Sequence, residues 1–222
     1  TAALAGLTVQ NTQGVRAAVA VDPGLVRNQI EAIIDDLPVA ATKLGMLSNA
    51  AVASAVADLL EERRDEFGLI VLDPVMVATS GDRLLTADVI ETIRVRLTRL
   101  ADIVTPNLPE AAVLLGRGAA IATTAADLEQ QAAALVESGA RAALVKGGHL
   151  DDDVLTDVLA SRDGVVRFTS PRIRTRNTHG TGCTLSSAIA ASAAKLGDTR
   201  ETGVSRAAVN NARDYQIGRA SC

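Results

Sequence analysis

Short runs of β-branched and aliphatic residues alternate along this chain with longer segments in which apolar side chains recur at helical spacing. That alternation is the pattern of a parallel sheet wrapped by helices, because each crossover between parallel strands needs a dozen or more residues. Strands are predicted at 4–10 (LAGLTVQ), 41–47 (ATKLGML), 68–75 (GLIVLDPV), 101–106 (ADIVTP) and 141–147 (RAALVKG). A first helix is predicted from Asp22-Pro23, a cap followed by proline in the first turn, to about Leu37. A second follows Ser48-Asn49 to about Arg64, with Val52, Val56, Leu59 and Leu60 on one face. A third follows Thr86, with Val89, Ile90 and Ile93 inward, and a fourth covers 124–138. The stretch TDVLASRDGVVRFTSPRI breaks the rhythm, and its two short runs around Arg162-Asp163-Gly164 read as a β-hairpin. No internal repeat or low-complexity linker interrupts the pattern, so residues 1–222 are expected to form one domain.

Composition narrows the function. Aromatic residues make up 1% of the chain against 48% hydrophobic, so the core is built from Ala, Val, Leu and Ile. With two Phe, one Tyr and no Trp, such a chain argues against a platform of rings on which single-stranded nucleic acid stacks. A net charge of −4 gives no basic footprint for nucleic acid or an anionic membrane. No apolar run approaches the roughly 18 to 20 residues that span a bilayer, and nothing resembles a signal peptide. The two cysteines lie far apart and make no disulfide framework. A reduced, soluble, cytoplasmic protein acting on a small molecule is expected, with neither nucleic acid nor membrane as partner.

Ligands of open α/β sheets bind outside the carboxyl ends of the strands, so the polar residues there carry the functional argument. The strand ending near 72 delivers Asp73 and a loop with Ser80-Gly81; the one ending near 104 delivers Asn107 and Glu110. The strand ending near 145 delivers Lys146, Gly147, Gly148 and His149. Beyond the hairpin comes RNTHGTGCTLSSAIAASAAKL, a glycine turn that opens a helix and puts Cys183 at its mouth. Each feature alone has a plain reading: Asp73 before Pro74 is a turn residue, Glu110 complements a helix dipole, and Lys146 is solvated. Asp151 to Asp153 reads as a wet turn without a role. Together, two carboxylates, an amide, a lysine and a glycine-rich helix start fit phosphoryl transfer from a nucleotide. Carboxylates hold Mg²⁺ near the phosphates, lysine offsets their charge, and helix N–H groups receive the transferring group. Neither G-x-x-x-x-G-K-[ST] nor the H-R-D and D-F-G pair of protein kinases is present.

GTGC at a helix start, TPNLPE, VLDPVM…TSGDRLL and VKGGH, with LTVQNTQGV and TKLGML, resemble the ribokinase superfamily. Most specifically, they resemble the hydroxymethylpyrimidine and phosphomethylpyrimidine kinases of thiamine biosynthesis, from about residue 4 to 215. The resemblance implies a ribokinase-like three-layer α/β/α sandwich with a mostly parallel central sheet. It implies a kinase that uses ATP and Mg²⁺ to phosphorylate 4-amino-5-hydroxymethyl-2-methylpyrimidine and its monophosphate, working as a homodimer. Gln10, Met46 and Val75 match the pyrimidine pocket, and Asp73 and Glu110 the groups around Mg²⁺. Asn107, Lys146 and Thr178 match the nucleotide contacts, and Gly180, Thr181 and Gly182 the anion hole. Cys183 stands where most of the superfamily has an Asp base. A helix N-terminus lowers a thiol pKa from about 8.5, so Cys183 is expected to be partly thiolate at neutral pH.

Alternatives remain open. Cys183 reads also as one half of a Cys–His nucleophile pair with His179, or as an inert buried thiol. A pyridoxal or pyridoxine kinase shares the scaffold, and a catalytically dead nucleotide-binding fragment shares the motifs. The chain begins without Met on TAALAGLTVQN and ends on ARDYQIGRASC, where a helix pattern breaks into QIGRASC. On the resemblance, the family's first strand, its substrate-covering glycine-rich loop and its last segment are expected to fall outside this stretch. Truncation at both termini is expected.

Overall fold

The computed structural model describes residues 1–11, 14–76, 85–116, 118–148, 153–173 and 180–220. The chain opens with β1 (Gly6–Asn11) and β2 (Gly14–Ala20), which pair antiparallel as a two-stranded sheet of their own. This corrects the expectation that the first strand belongs to the parallel sheet. The link between β1 and β2 is far too short for a parallel crossover, and GVRAAVA, rich in alanine, carries no strand signal. Leu7, Val9 and Val19 remain 54%, 59% and 60% exposed, so the hairpin keeps these side chains out of the core.

Helix α1 (Pro23–Ile34) follows, capped by Asp22, whose carboxylate accepts from Leu25 N–H, with proline in the first turn as predicted. The main sheet then forms in strict chain order: β3 (Ala41–Leu44), β4 (Leu69–Leu72), β5 (Ile103–Val104), β6 (Ala142–Lys146), β7 (Val154–Ser161) and β8 (Gly164–Pro171). β3 to β6 are parallel, and β7 and β8 add antiparallel through the predicted hairpin, whose Gly164 has φ 114°. Because every parallel step moves the same way across the sheet and such crossovers are right-handed, their helices fall on one face. These are α2 (Ala50–Arg63), α3 (Ala87–Thr92) and α4 (Thr98–Leu100) joined by a π-helical turn, α5 (Leu108–Leu115) and α6 (Ala125–Glu137). The opposite face is left to α7 (Thr181–Leu196) and α8 (Arg206–Ala220).

Alternation along the central strands serves both layers. Ile70, Leu72, Val104, Ala143 and Val145 pack with Val52, Leu59, Ile93 and Leu128 on the first face. Leu69, Val71, Ile103, Ala142 and Leu144 pack with Leu185, Ile189, Val209 and Ala212 on the second. A period of two with both faces apolar is what a sheet buried on both sides requires. The result is the three-layer α/β/α sandwich expected from the resemblance. Among the described residues no helix is long and apolar enough to cross a membrane.

Candidate active site

Asp73 directly follows β4. Its N–H donates to Leu44 O at 2.9 Å, carrying the ladder one residue past the strand, and Pro74 ends it by offering no donor. The side chain is nearly inaccessible, with the residue 1% exposed. Lys146 Nζ donates to Oδ1 at 3.0 Å and Thr105 Oγ1 to the same oxygen at 3.3 Å. Ser186 Oγ donates to Oδ2 at 3.1 Å, and Lys43 Nζ lies 4.0 Å from that oxygen. Burial alone would raise the Asp73 pKa. The charges of Lys146 and Lys43, with hydrogen bonds from Lys146 and Ser186, outweigh it and hold the carboxyl below its ordinary value.

Glu110 sits beside this cluster at the start of α5. Asn107 and Glu110 form a capping box: Glu110 N–H donates to Asn107 Oδ1 and Asn107 N–H to Glu110 Oε2, both at 2.9 Å. Oε1 also accepts from Met76 N–H at 3.3 Å. Asn107 bridges to Lys146 as a parallel β-pair, and Lys146 N–H donates to Pro106 O at 2.9 Å, so one short segment registers β6 against the capped helix. Burial pushes the Glu110 pKa up and the Asp73 charge adds to it; Lys146 and the two backbone donors oppose without cancelling. The plain capping reading of Glu110 is therefore correct locally, yet the carboxylate also faces the site's charges.

Helix α7 supplies the third side. α1, α2, α5 and α6 begin on a side chain that accepts from the first turn, but α7 begins on Gly180, left-handed at φ 76° and with no side-chain cap. A helix start whose N-cap residue carries no side chain leaves room for an anion at its amide end. A Cβ at Gly182 would sit 3.2 Å from Lys146 Nζ and 3.9 Å from Asp73 Oδ2. Glycine there keeps a hollow open between the helix start, the lysine and the carboxylate.

Cys183 is a free, exposed cysteine on the next position. Its thiol pKa is raised, not lowered as the helix N-terminus alone suggested. Burial of the thiol group is the largest cause; the Asp73 carboxylate adds by charge and as a hydrogen-bond acceptor, and Lys43 and Lys146 only partly offset it. The expectation of partial thiolate at neutral pH is overturned first by this burial and then by Asp73, which sequence places nowhere near.

The structure thus brings together Asp73, Glu110, Asn107, Lys146, Gly182 and Cys183, with Gly180 and Thr181 at the same helix start. Val75 is half-buried just past Asp73, its N–H bonded to Asp73 O at 2.8 Å. Met46 is half-buried after β3, with its methyl 3.4 Å from where a Cβ on Gly6 would lie. Gln10 is exposed on β1, opposite Val15 in the hairpin. Thr178, His149, His179 and Ser80-Gly81 lie outside the described residues. Sequence reasoning missed Lys43, Thr105 and Ser186. Ser186 lies one helical turn past Cys183, a signal available from the spacing; Lys43 stood inside a quoted motif without being singled out.

The donor set suits a hard divalent cation that keeps much of its water. Among the described residues no three His, Cys, Asp or Glu converge into a closed metal cage. Two buried carboxylates, Asp73 and Glu110, do feel each other's charge, and Asp73 adjoins the hollow. Mg²⁺ is commonly held by one or two carboxylates plus phosphate oxygens and water.

A family model described as phosphomethylpyrimidine kinase matches residues 1–218. The hydroxymethylpyrimidine/phosphomethylpyrimidine kinase of Escherichia coli is 45% identical over 188 residues, 85% of this chain and 69% of that protein. Among solved structures, phosphomethylpyrimidine kinase from Clostridium difficile superposes with a TM-score of 0.79 at 30% identity, covering 98% of this chain and 84% of that one. An ADP complex of Bacillus subtilis pyridoxal kinase superposes with a TM-score of 0.82 at 29% identity, covering 96% and 77%.

Proposed function

The chain belongs to the phosphomethylpyrimidine kinase family, and on that premise we propose a two-step phosphorylation. The γ-phosphoryl group of ATP passes first to the hydroxymethyl oxygen of 4-amino-5-hydroxymethyl-2-methylpyrimidine and then to the resulting monophosphate, as thiamine biosynthesis requires. The observation that carries this reading is the hollow at Gly182, bounded by Lys146, Asp73 and the uncapped start of α7. It is an anion site with a carboxylate and a lysine already in place.

In such a transfer the protein's work is positioning and electrostatics, because the transition state is loose and its charge sits on the equatorial oxygens. The first amides of α7, from Gly180 through Cys183, receive those oxygens, and Lys146 offsets their charge from the β6 side. Asp73 and Glu110 are the residues that would hold Mg²⁺, and Asn107, with Thr178 by the resemblance alone, would contact the nucleotide; the cation would neutralise phosphate charge. Gln10, Met46 and Val75 line the acceptor side. Cys183 is the base of the first step: its thiolate form, which burial and Asp73 disfavour, takes the hydroxyl proton on Sγ as the oxygen attacks. The monophosphate of the second step attacks through an already ionised oxygen and needs no such base.

The test is a phosphorylation assay with ATP and Mg²⁺ on three acceptors: the pyrimidine alcohol, its monophosphate and pyridoxal. Turnover of both pyrimidine acceptors, with Cys183→Ala lowering kcat by roughly 10²–10⁴, is expected. Exclusive turnover of pyridoxal would replace the substrate assignment. ATP binding without transfer to any acceptor would favour a nucleotide-binding role.

A further inference from the structure

Two lysines, not one, address the buried carboxylate of Asp73, and they do so from opposite oxygens. Lys146 on β6 donates to Oδ1 at 3.0 Å. Lys43 on β3 stands 4.0 Å from Oδ2, beyond hydrogen-bond distance, with its side chain 20% exposed. Lys146 is anchored: its backbone pairs with Asn107 and Pro106, and its ammonium touches the hollow at Gly182. Lys43 is instead a charge held near Asp73 with bonding capacity to spare. Its ammonium folds over the backbone of Gly45, where any Cβ would collide with Nζ. The glycine after β3 therefore makes room for this head group.

Topology decides which substrate each lysine meets. β3 is the edge strand of the main sheet and β6 lies three strands across, so the two ammonium groups reach Asp73 from different sides. The loop that follows Lys43 carries Met46, which packs toward Gly6 at the start of β1, the side on which the acceptor is placed. Lys146 faces the start of α7, where the donor's phosphates are placed.

The two phosphorylations differ in one physical respect. The first acceptor is a neutral alcohol; the second is a phosphate monoester carrying roughly −1.5 to −2 charges at neutral pH. Its attack brings two anionic phosphates together beside the Asp73 carboxylate, and a cation on the acceptor side is what relieves that repulsion. Resting on the function proposed above, we infer that Lys43 is the binding residue for the acceptor phosphate, and so sets the enzyme's competence for the second phosphorylation. The alcohol step needs no such charge.

The experiment measures binding of the monophosphate and of the alcohol by calorimetry without ATP or Mg²⁺, then kcat/KM for both, in the parent and in Lys43→Met, Lys43→Gln and Lys43→Arg. A charge-assisted hydrogen bond lost to a neutral side chain weakens monophosphate binding by about 10- to 100-fold. The alcohol's Kd changes far less, and Lys43→Arg keeps most of the monophosphate affinity. The kcat/KM ratio of monophosphate to alcohol falls in Met and Gln alike; a thermal melt of each variant confirms that the fold is kept. Equal losses for the two acceptors, or an unchanged monophosphate Kd, overturn the inference while leaving the kinase reading intact. A parent protein that binds neither acceptor overturns the reading on which it rests.

Discussion

Replacing Asp157 with alanine should be among the most damaging single changes outside the site itself. Asp157 is 3% exposed on β7, in register with Lys146 on β6. Its Oδ2 accepts from Arg213 Nε at 2.9 Å, and its Oδ1 accepts from Gly147 N–H at 2.9 Å. Arg213, on α8, is 5% exposed, also donates to Phe168 O at 3.3 Å, and lies 5.4 Å over the Phe168 ring. Alanine would leave a guanidinium buried without its carboxylate, at about 3–5 kcal/mol for a broken buried pair. The orphaned Gly147 N–H accounts for about 1–3 kcal/mol within that range. The turn cannot easily move to find another acceptor, because Gly147 is pressed against the Thr156 carbonyl so closely that a Cβ would collide with it. At about 2–4 °C per kcal/mol for a chain of this size, Tm should fall by roughly 6–20 °C.

Urea unfolding with fitted m-values measures the loss directly. Asp157→Asn, which keeps an acceptor for Gly147, should cost less than Asp157→Ala. Asp157→Leu combined with Arg213→Met should cost less than the two single changes added together, since the double variant buries no unpaired charge. Because Gly147 follows Lys146, the KM for ATP should also rise in Asp157→Ala. A loss below about 1 kcal/mol, or strictly additive single variants, would refute the claim that this pair ties α8 to the turn after Lys146.

The two site carboxylates should tilt stability with pH in opposite senses. Asp73 has a depressed folded pKa, so its contribution is complete above the ordinary value of about 3.9 and is lost as pH falls through the folded one. Glu110 has a raised folded pKa, so the native state loses stability as pH climbs from about 4.3 through that value. Urea midpoints over roughly pH 3 to 7 should therefore show a flatter acid limb for Asp73→Asn and a flatter decline for Glu110→Gln; slopes unchanged in both would count against these environments. Alkylation of Cys183 should be slow at neutral pH, with a rate midpoint above the free-thiol value of about 8.5, and Asp73→Asn should move that midpoint down. A midpoint at or below the free-thiol value in the parent would count against this buried, Asp73-facing environment of the thiol. Gly182→Ala should reduce kcat by crowding Lys146 Nζ while leaving stability equal or higher by up to about 1 kcal/mol, alanine being the better helix residue; full activity would mean that the hollow is not where transfer occurs.

Much of the scaffold was legible because it rests on near-neighbour physics. Asp22-Pro23 announces α1, the Asn107–Glu110 spacing announces a capped α5, and the Arg162-Asp163-Gly164 turn announces the hairpin that closes the sheet. Runs such as GLIVL, apolar at every position, announce strands buried on both faces. β2 was not legible, because an alanine-rich strand has no pattern of its own and is defined only by pairing with β1. The roster of strand-end residues was visible, and so was the kind of anion chemistry they serve.

By itself, then, the sequence determined the alternation of elements, the helix caps and the residues that each strand delivers at its carboxyl end, since all of these depend on side chains a few positions apart. Only the tertiary structure decided the charge state of what those residues form. Ser186 reaches Asp73 across 113 residues of chain and Lys146 reaches it across 73. Cys183 meets the carboxylate that raises its pKa only because α7 packs over β3 and β4. Electrostatic interaction depends on distance and burial in space, and neither quantity is written along the chain.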